Sequence, residues 1–292
     1  MTVVKAGLIQ MSLQMAATRA PVEIRAAMVD AHVPFIEDAG RRGVQVLCMQ
    51  EIFNHPYFCP TRDPRWFDGA ERVPDGPTVT RMRELARRYS MVIVAPVYEL
   101  GDAGDRYNTA AVIDADGGFL GKYRKVHVPN RPQGSAEQFY FKHGDLGFPV
   151  FDTAYCRLGV YICYDRHFPE GWRALALNGA QYIVNPSATV AGTSQYAWKL
   201  EQPAAAIAND VFIGAVNRVG IEAPWNIGRF YGSSYFVNPR GEIMAQASED
   251  RDELLVAELN LALTDETRAK WQFREHRRPD AYTGLVRGQK SS

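Results

Sequence analysis

The sequence has no excess of charge of either sign and no segment that resembles a linker. Its 292 residues include 33 basic and 33 acidic side chains. A balanced charge argues against a nucleic-acid or anionic-membrane partner, because both favour a basic surface. No apolar run approaches the ~20 residues that a membrane-spanning helix requires. We therefore expect a soluble protein whose partner is a small-molecule substrate.

The chain has only four cysteines, Cys48, Cys59, Cys156 and Cys163, and their spacing follows no disulfide or metal-binding pattern. The first residues also lack the charged and apolar blocks of a signal peptide. These features predict a cytoplasmic protein. Since no cluster of histidines and aspartates suggests a set of ligands, we expect neither a metal nor another cofactor.

Apolar runs of strand length alternate with amphipathic stretches along the whole chain. No Gly/Ser-rich or Pro-rich divider occurs, which favours one α/β domain over residues 1–292. Pro34 falls inside the first helix and is expected to kink or divide it. Many strands with few helices suggest two packed mixed sheets covered by helices. The pattern predicts strands at residues 3–11, 44–49, 91–98, 108–114, 118–125, 158–164, 181–185, 211–216, 233–237, 242–246 and 254–259, and helices at residues 21–42, 78–90, 169–178 and 196–209.

The C-terminal segment, residues 262–292, is polar and carries spaced aromatic side chains at Trp271, Phe273 and Tyr282. Aromatic residues in a polar tail usually have a surface to pack against. We expect this extension to pack at a subunit interface, with packing against its own domain as the alternative.

Residues 158–164 form an apolar run that carries one thiol, Cys163, into a charged turn. The run has the length of a buried parallel strand, and Pro169 suits the first turn of a following helix. Ligands bind at the carboxyl ends of strands in open α/β sheets, so Cys163 is a candidate nucleophile. The alternative is that Cys163 is a small buried apolar side chain.

A cysteine nucleophile needs a base and a group that stabilises an oxyanion. None of the six histidines lies in a Cys-His protease pattern. Glu51 and Lys125, however, each lie at the end of a predicted strand, as Cys163 does. We expect these three side chains to meet at one edge of the sheets. A glutamate can accept the proton of a thiol in an enclosed site with a nearby ammonium.

With these residues in this order, the chain resembles the nitrilase (carbon-nitrogen hydrolase) superfamily over essentially its whole length. The resemblance implies an α/β fold, a four-layer α-β-β-α sandwich. It also implies that Glu51 is the general base, Lys125, in Lys-Val-His-Val-Pro, stabilises the oxyanion, and Cys163 is the nucleophile. Glu137 matches a second acidic residue of many members, unless it is a surface carboxylate. The backbone N–H of Tyr164 would complete the oxyanion hole.

Further segments are similar to the β-ureidopropionase branch, whose members hydrolyse N-carbamoyl-β-alanine and related N-carbamoyl acids. Such substrates carry a carboxylate, which Arg166, followed by His167, could hold with two hydrogen bonds. Alternatively, Arg166 pairs with Asp165, Glu170 or Asp152. The N-carbamoyl-D-amino acid amidases carry two consecutive arginines at this point, which weakens that resemblance. The similar segments are residues 163–170, 217–222, 230–235 and 254–259.

The loop at residues 53–60, which contains Tyr57, resembles the substrate-facing loop of carbamoyl amidases in general, N-carbamoylputrescine amidases included. Putrescine derivatives are cations, so Arg166 favours an anionic substrate, although Glu222 or another carboxylate at the mouth would reverse this. Asn185 follows another strand and is expected to donate a hydrogen bond in the pocket, or else to form a turn.

The sequence thus predicts a cysteine-dependent amidohydrolase that cleaves an N-carbamoyl amino acid, with N-carbamoyl-β-alanine favoured. The alternatives are an N-carbamoylputrescine or N-carbamoyl-D-amino acid amidase, an ω-amidase or aliphatic amidase, a nitrilase, and a catalytically silent scaffold. The resemblance also implies at least a homodimer, with the helix after Cys163 and the C-terminal extension as candidate interface elements.

Overall fold

The computed structural model describes residues 3–130 and 135–286. Its strands are β1 (Val3–Gln10), β2 (Val46–Met49), β3 (Val92–Leu100), β4 (Arg106–Ile113), β5 (Phe119–Arg124), β6 (Val150–Asp152), β7 (Arg157–Val160), β8 (Tyr182–Pro186), β9 (Phe212–Val216), β10 (Val219–Gly220), β11 (Phe230–Tyr231), β12 (Tyr235–Val237), β13 (Ile243–Gln246) and β14 (Glu253–Asn260). The α-helices are α1 (Pro21–Arg41), α2 (Pro77–Tyr89), α3 (Glu137–Tyr140), α4 (Pro169–Leu177), α5 (Thr193–Asn209) and α6 (Ala262–Trp271). Stretches of 3-10 helix cover Pro64–Gly69, Cys163–His167 and Pro279–Val286.

The two six-stranded sheets have the same arrangement of parallel and antiparallel strands. Their strand orders are β14-β1-β2-β3-β4-β5 and β13-β12-β9-β8-β7-β6. The strands β1, β2 and β3 run parallel in the first sheet, as β7, β8 and β9 do in the second, and antiparallel strands complete the edges. Contacts between β2 and β8 and between β1 and β9 show that the sheets pack face to face.

The alternation of side chains in β2 shows how the layers are held. Val46 and Cys48 join the core that the first sheet shares with the second, whereas Leu47 and Met49 join the core beneath α1 and α2. Both faces of this strand are therefore buried, which is why its sequence is apolar throughout.

Helices cover the outer face of each sheet. The pair α1 and α2 packs on β1 and β3, and the pair α4 and α5 packs on β9 and β12 through α5. The layers are thus helix, sheet, sheet and helix, so the predicted α-β-β-α sandwich is confirmed.

The strand predicted at residues 158–164 was wrong at its end: β7 stops at Val160, and the chain turns into a 3-10 helix at Cys163, whose φ of 45° lies outside the extended region. Pro34 does not divide α1, which continues past it. Pro34 is exposed, so water can hydrate the carbonyl that it leaves unbonded.

The described part of the C-terminal extension contacts its own domain. The guanidinium of Arg274 donates hydrogen bonds to the carbonyl of Ala176 at 2.7 Å and to that of Asn209 at 2.6 Å, at the ends of α4 and α5. The expected contact with a second subunit stays a prediction. Within the described ranges, no helix combines the length and the apolar character needed to cross a bilayer.

Candidate active site

Cys163 lies in a short loop between β7 and α4. The N–H of Tyr161 still bonds to the carbonyl of Val184 at 3.0 Å, but the chain then turns into the 3-10 helix that begins at Cys163. A left-handed conformation is unusual for a residue other than glycine, and strained backbone of this kind clusters at functional sites. The turn presents the thiol at the carboxyl end of the parallel strands.

Asp165 fixes this cysteine loop. Its carboxylate is fully buried and accepts hydrogen bonds from the N–H of Ile162 at 3.0 Å and from the hydroxyl of Tyr123 at 2.7 Å. It also accepts the N–H of His127 at 2.8 Å and contacts Nδ1 of that residue at 2.7 Å. Since Tyr123 and His127 flank Lys125, one carboxylate ties the cysteine loop to the lysine segment.

Lys125 lies between two carboxylates. Its Nζ donates to Oε1 of Glu51 at 2.8 Å and to Oε2 of Glu137 at 2.6 Å, and all three side chains are buried. Burial alone would lower the pKa of the Lys125 ammonium, but the two carboxylates outweigh it and raise this pKa well above its usual value. The two carboxylates therefore favour the ammonium form of Lys125.

Glu137 completes this cluster from α3. Burial raises the pKa of its carboxyl, Lys125 opposes the rise, and the charge of Glu51 adds to it. Its Oε1 accepts a hydrogen bond from the hydroxyl of Tyr57 at 2.7 Å. The structure thus places Glu137 and Tyr57 beside the Glu51-Lys125 pair.

Glu51 keeps one oxygen available. Its Oε1 accepts from Lys125 and from Nδ2 of Asn108 at 2.7 Å. Its Oε2 is buried without a hydrogen-bond partner among the described residues. A buried carboxylate oxygen without a donor costs free energy. A role in accepting a proton is one reason why a protein retains such an oxygen.

The Cys163 thiol is neutral in this environment. Burial, followed by the charge of Glu51, raises its pKa to about 12, although Lys125 and Arg166 act in the opposite direction. Only a thiolate attacks effectively, so a neutral thiol that serves as a nucleophile needs a base to take its proton. The unpartnered oxygen of Glu51 is the candidate for that role.

A cavity of about 890 Å³ opens onto this cluster. Six residues that the sequence singled out line it: Tyr57, Glu137, Cys163, Tyr164, Arg166 and His167. Glu51 and Lys125 lie behind this lining, fully buried.

Asn185 is placed differently from the expectation. Its Nδ2 donates to the carbonyl of Tyr161, and its Oδ1 accepts from Ser187 and Gln202. Its side chain is buried and lies outside the lining of the cavity within the described ranges. In this position Asn185 supports the strand end before the cysteine loop instead of facing a substrate.

Arg166 is held by partners that the sequence did not indicate. Its Nε donates to Oε2 of Glu201 at 3.1 Å, and its Nη2 donates to Ser194 at 3.1 Å. Its Nη1 donates to the carbonyl of Cys163 at 3.1 Å and lies 3.8 Å from the sulfur. Oε1 of Glu201 lies 2.6 Å from Nδ1 of His167. Glu201 thus orients both residues beside the thiol.

A second buried ion pair holds the loop after Glu51. Arg218 donates from Nη1 to Glu222 at 2.7 Å and from Nη2 to the carbonyls of Glu51, Ile52 and His55 at 2.8, 2.7 and 2.7 Å. Glu222 also accepts the N–H of Tyr57 at 2.6 Å. Glu222 is therefore not a free carboxylate at the mouth of the cavity.

Sequence reasoning missed several of these supporting residues. Asn108 lies on β4, and Glu201 lies on α5, more than thirty residues after its partner Arg166. No local pattern marks such pairs. Arg218 lies within a segment similar to the β-ureidopropionases, but the sequence does not show its role. Its burial and its hydrogen bonds to backbone carbonyls show that role in the structure.

The comparisons with known proteins agree with this geometry. A family model described as carbon-nitrogen hydrolase matches residues 5–269. The chain belongs to this family. The prediction of a nitrilase-superfamily enzyme that hydrolyses carbon-nitrogen bonds is therefore confirmed.

Relatives of this carbon-nitrogen hydrolase include a beta-ureidopropionase from Arabidopsis thaliana, 40% identical over 97% of this chain and 73% of that protein. An N-carbamoylputrescine amidase from the same plant is 37% identical over 86% of this chain and 87% of that protein. The crystal structure of a carbon-nitrogen hydrolase from Helicobacter pylori G27 has a TM-score of 0.88 and 32% identity, covering 98% of this chain and 99% of that one.

The neutral state of the thiol predicts how Cys163 reacts with iodoacetamide. Because its pKa is about 12, its alkylation rate should keep rising from about pH 7 to about pH 10, past the value near 8.5 at which an exposed cysteine titrates. Mass spectrometry of the labelled peptide gives the rate, and Cys163→Ala gives the background from the other thiols. A rate that levels off below about pH 8 would contradict the neutral thiol.

Asp165→Asn tests the link between the cysteine loop and the lysine segment. The amide cannot accept all the hydrogen bonds of the carboxylate, so the thiol and Lys125 should lose their mutual position. We expect kcat to fall on the order of 100-fold on any substrate that the wild type hydrolyses, while KM changes little. Asp30→Asn, an exposed aspartate of α1, is the matched control. An unchanged kcat in Asp165→Asn would refute the link.

Proposed function

We propose that this enzyme hydrolyses the carbamoyl C–N bond of an N-carbamoyl amino acid, with N-carbamoyl-β-alanine as the favoured substrate. One observation carries the proposal: a guanidinium, that of Arg166, lies 3.8 Å from the candidate nucleophile inside the cavity. An enzyme for neutral amides has no need of a buried cation there. The relatives named beta-ureidopropionase, N-carbamoylputrescine amidase and citrullinase support carbamoyl substrates as a class.

In this proposal Glu51 accepts the proton of Cys163 while the sulfur attacks the carbamoyl carbon. The oxyanion forms beside the Lys125 ammonium and the N–H of Tyr164, and ammonia leaves with the proton that Glu51 returns. The substrate's carbonyl carbon is then bound to the sulfur of Cys163 as a thioester. A water activated by Glu51 hydrolyses this thioester. The carbamate released decomposes to carbon dioxide and the amino acid, and the thiol is regenerated.

The carboxylate of the substrate would bind at the Nη2 side of Arg166. Glu201 accepts from Nε and the carbonyl of Cys163 accepts from Nη1, whereas the partner of Nη2 is the hydroxyl of Ser194. The hydroxyls of Ser194 and Thr189 contact each other and line the same cavity. That contact uses the hydrogen of one hydroxyl, so the other can donate to a carboxylate. A guanidinium with two hydroxyls is a suitable site for an anion.

The structure offers less to a cationic substrate. Glu222, the carboxylate that could have favoured N-carbamoylputrescine, is paired with Arg218 and is 2% exposed. N-carbamoylputrescine is nevertheless the second candidate, because several relatives of 36–37% identity carry that name.

The test is ammonia release from N-carbamoyl-β-alanine, N-carbamoyl-D-amino acids, N-carbamoylputrescine and ω-amides. We expect the highest kcat/KM for N-carbamoyl-β-alanine. Arg166→Met should lower that value on the order of 100-fold by raising KM, and Arg166→Lys, which keeps the charge, should retain more of it. Cys163→Ala should abolish turnover. The proposal would be rejected if N-carbamoylputrescine were hydrolysed fastest and N-carbamoyl-β-alanine were not hydrolysed.

We further propose that the enzyme acts in the cytoplasm as at least a homodimer. The four cysteines are free thiols, which suits a reducing compartment. The helices α4 and α5 expose Leu177, Tyr196 and Leu200 by 44%, 72% and 50%, and such side chains together favour a protein contact. Light scattering of the purified chain is expected to give the mass of a dimer or a larger assembly; the mass of one chain would refute it.

A further inference from the structure

The cavity is larger than N-carbamoyl-β-alanine requires. Its volume of about 890 Å³ lies near the top of the range of small-molecule sites, roughly 300–1,000 Å³, which hold ligands of drug size. N-carbamoyl-β-alanine is only a ureido group and a carboxylate joined by two methylenes. Space therefore remains when the ureido carbon is at Cys163 and the carboxylate is at Arg166.

Part of the lining takes no part in the proposed chemistry and is apolar. These side chains come from three loops, after β2, after β8 and between β10 and β11. The residues are Pro60, Ala188, Val190, Pro224, Trp225 and Ile227, and we call them the apolar wall.

The apolar wall is held in place by its own contacts. Nε1 of Trp225 donates to the hydroxyl of Thr61 at 3.0 Å, its ring lies 5.8 Å from that of Trp66, and it is 7% exposed. Val190 forms an antiparallel bridge with Phe230. Because these contacts are made by the protein's own side chains and backbone, a group that binds the wall has little of it to order.

Away from Nη2 of Arg166, which the substrate carboxylate uses in the proposed function, the remaining space offers no unpaired charge to a second charged group. Each charged side chain that lines the described part of the cavity has a partner of opposite sign. Asp63 pairs with Arg65 at 3.0 Å, Glu137 pairs with Lys125, and Arg166 pairs with Glu201. An apolar substituent therefore fits the wall better than a second carboxylate or an ammonium.

From this combination we infer that the apolar wall is a subsite for a bulky apolar group on the substrate. The inference rests on the proposed function and names its substrate class: N-carbamoyl β-amino acids with a branched alkyl or aryl group on the carbon next to the carbamoyl nitrogen. Such a group exchanges water for Val190, Trp225 and Ile227. The subsite adds binding energy beyond the ureido and carboxylate contacts.

The first experiment compares kcat/KM for N-carbamoyl-β-alanine, its β-isopropyl and β-phenyl derivatives and N-carbamoylaspartate. We expect the two apolar derivatives to exceed the parent by about tenfold, mainly through a lower KM, and the dicarboxylate to fall below it. If the parent is hydrolysed and both apolar derivatives are slower, the subsite is refuted while the proposed function stands. If every N-carbamoyl acid is inert, the proposed function fails and the subsite fails with it.

The second experiment locates the subsite with one pair of variants. Ile227→Asn puts a polar side chain into the apolar wall, and we expect the ratio of β-phenyl to parent kcat/KM to fall at least about fivefold. Ile221→Asn makes the same change at an isoleucine of the same loop that is 72% exposed and does not line the cavity. It should keep the wild-type ratio. Equal ratios in both variants would refute the assignment of the wall.

Discussion

The ammonium of Lys125, buried between the carboxylates of Glu51 and Glu137, is the interaction on which the site depends. Burying three charges is expensive, and removing one partner of such a pair typically costs about 3–5 kcal/mol. Burial raises the pKa of the Cys163 thiol and of Glu137, and the charge of Glu51 adds to both, although Lys125 opposes the rise. Burial alone would lower the pKa of Lys125, but the two carboxylates outweigh it. Burial and the neighbouring charges thus set the protonation state of the cluster together.

Buried polar side chains that hydrogen-bond to the backbone offset this cost. Asp165 joins the cysteine loop to the lysine segment, and Arg218 binds the carbonyls of the loop after Glu51. Both side chains act between segments that are distant in sequence. The positions of Glu51, Lys125 and Cys163 therefore follow from the packing of two sheets whose strand ends meet, and these three residues alone would not produce them.

The cavity has a charged region beside the thiol and an apolar region along the apolar wall. The pair of Arg166 and Glu201 lies beside the thiol and makes this end of the cavity polar, whereas the apolar wall contains no charged side chain. In the proposed function the first region holds the substrate carboxylate, and the second region is the inferred subsite for an apolar group.

The sequence by itself determined the apolar strands of the two sheets and the turns after them, where Glu51, Lys125 and Cys163 lie, because periodicity and turn residues act over a few neighbours. It failed at the turn after β7, where the chain enters a 3-10 helix and Asp165 accepts the N–H of Ile162. It also failed where distant segments decide: Asn185, Glu222 and Arg166 have partners in Tyr161, Tyr57 and Glu201. Only the tertiary structure decided those pairings, since a buried polar group bonds to whatever donor or acceptor the packing brings within about 3 Å.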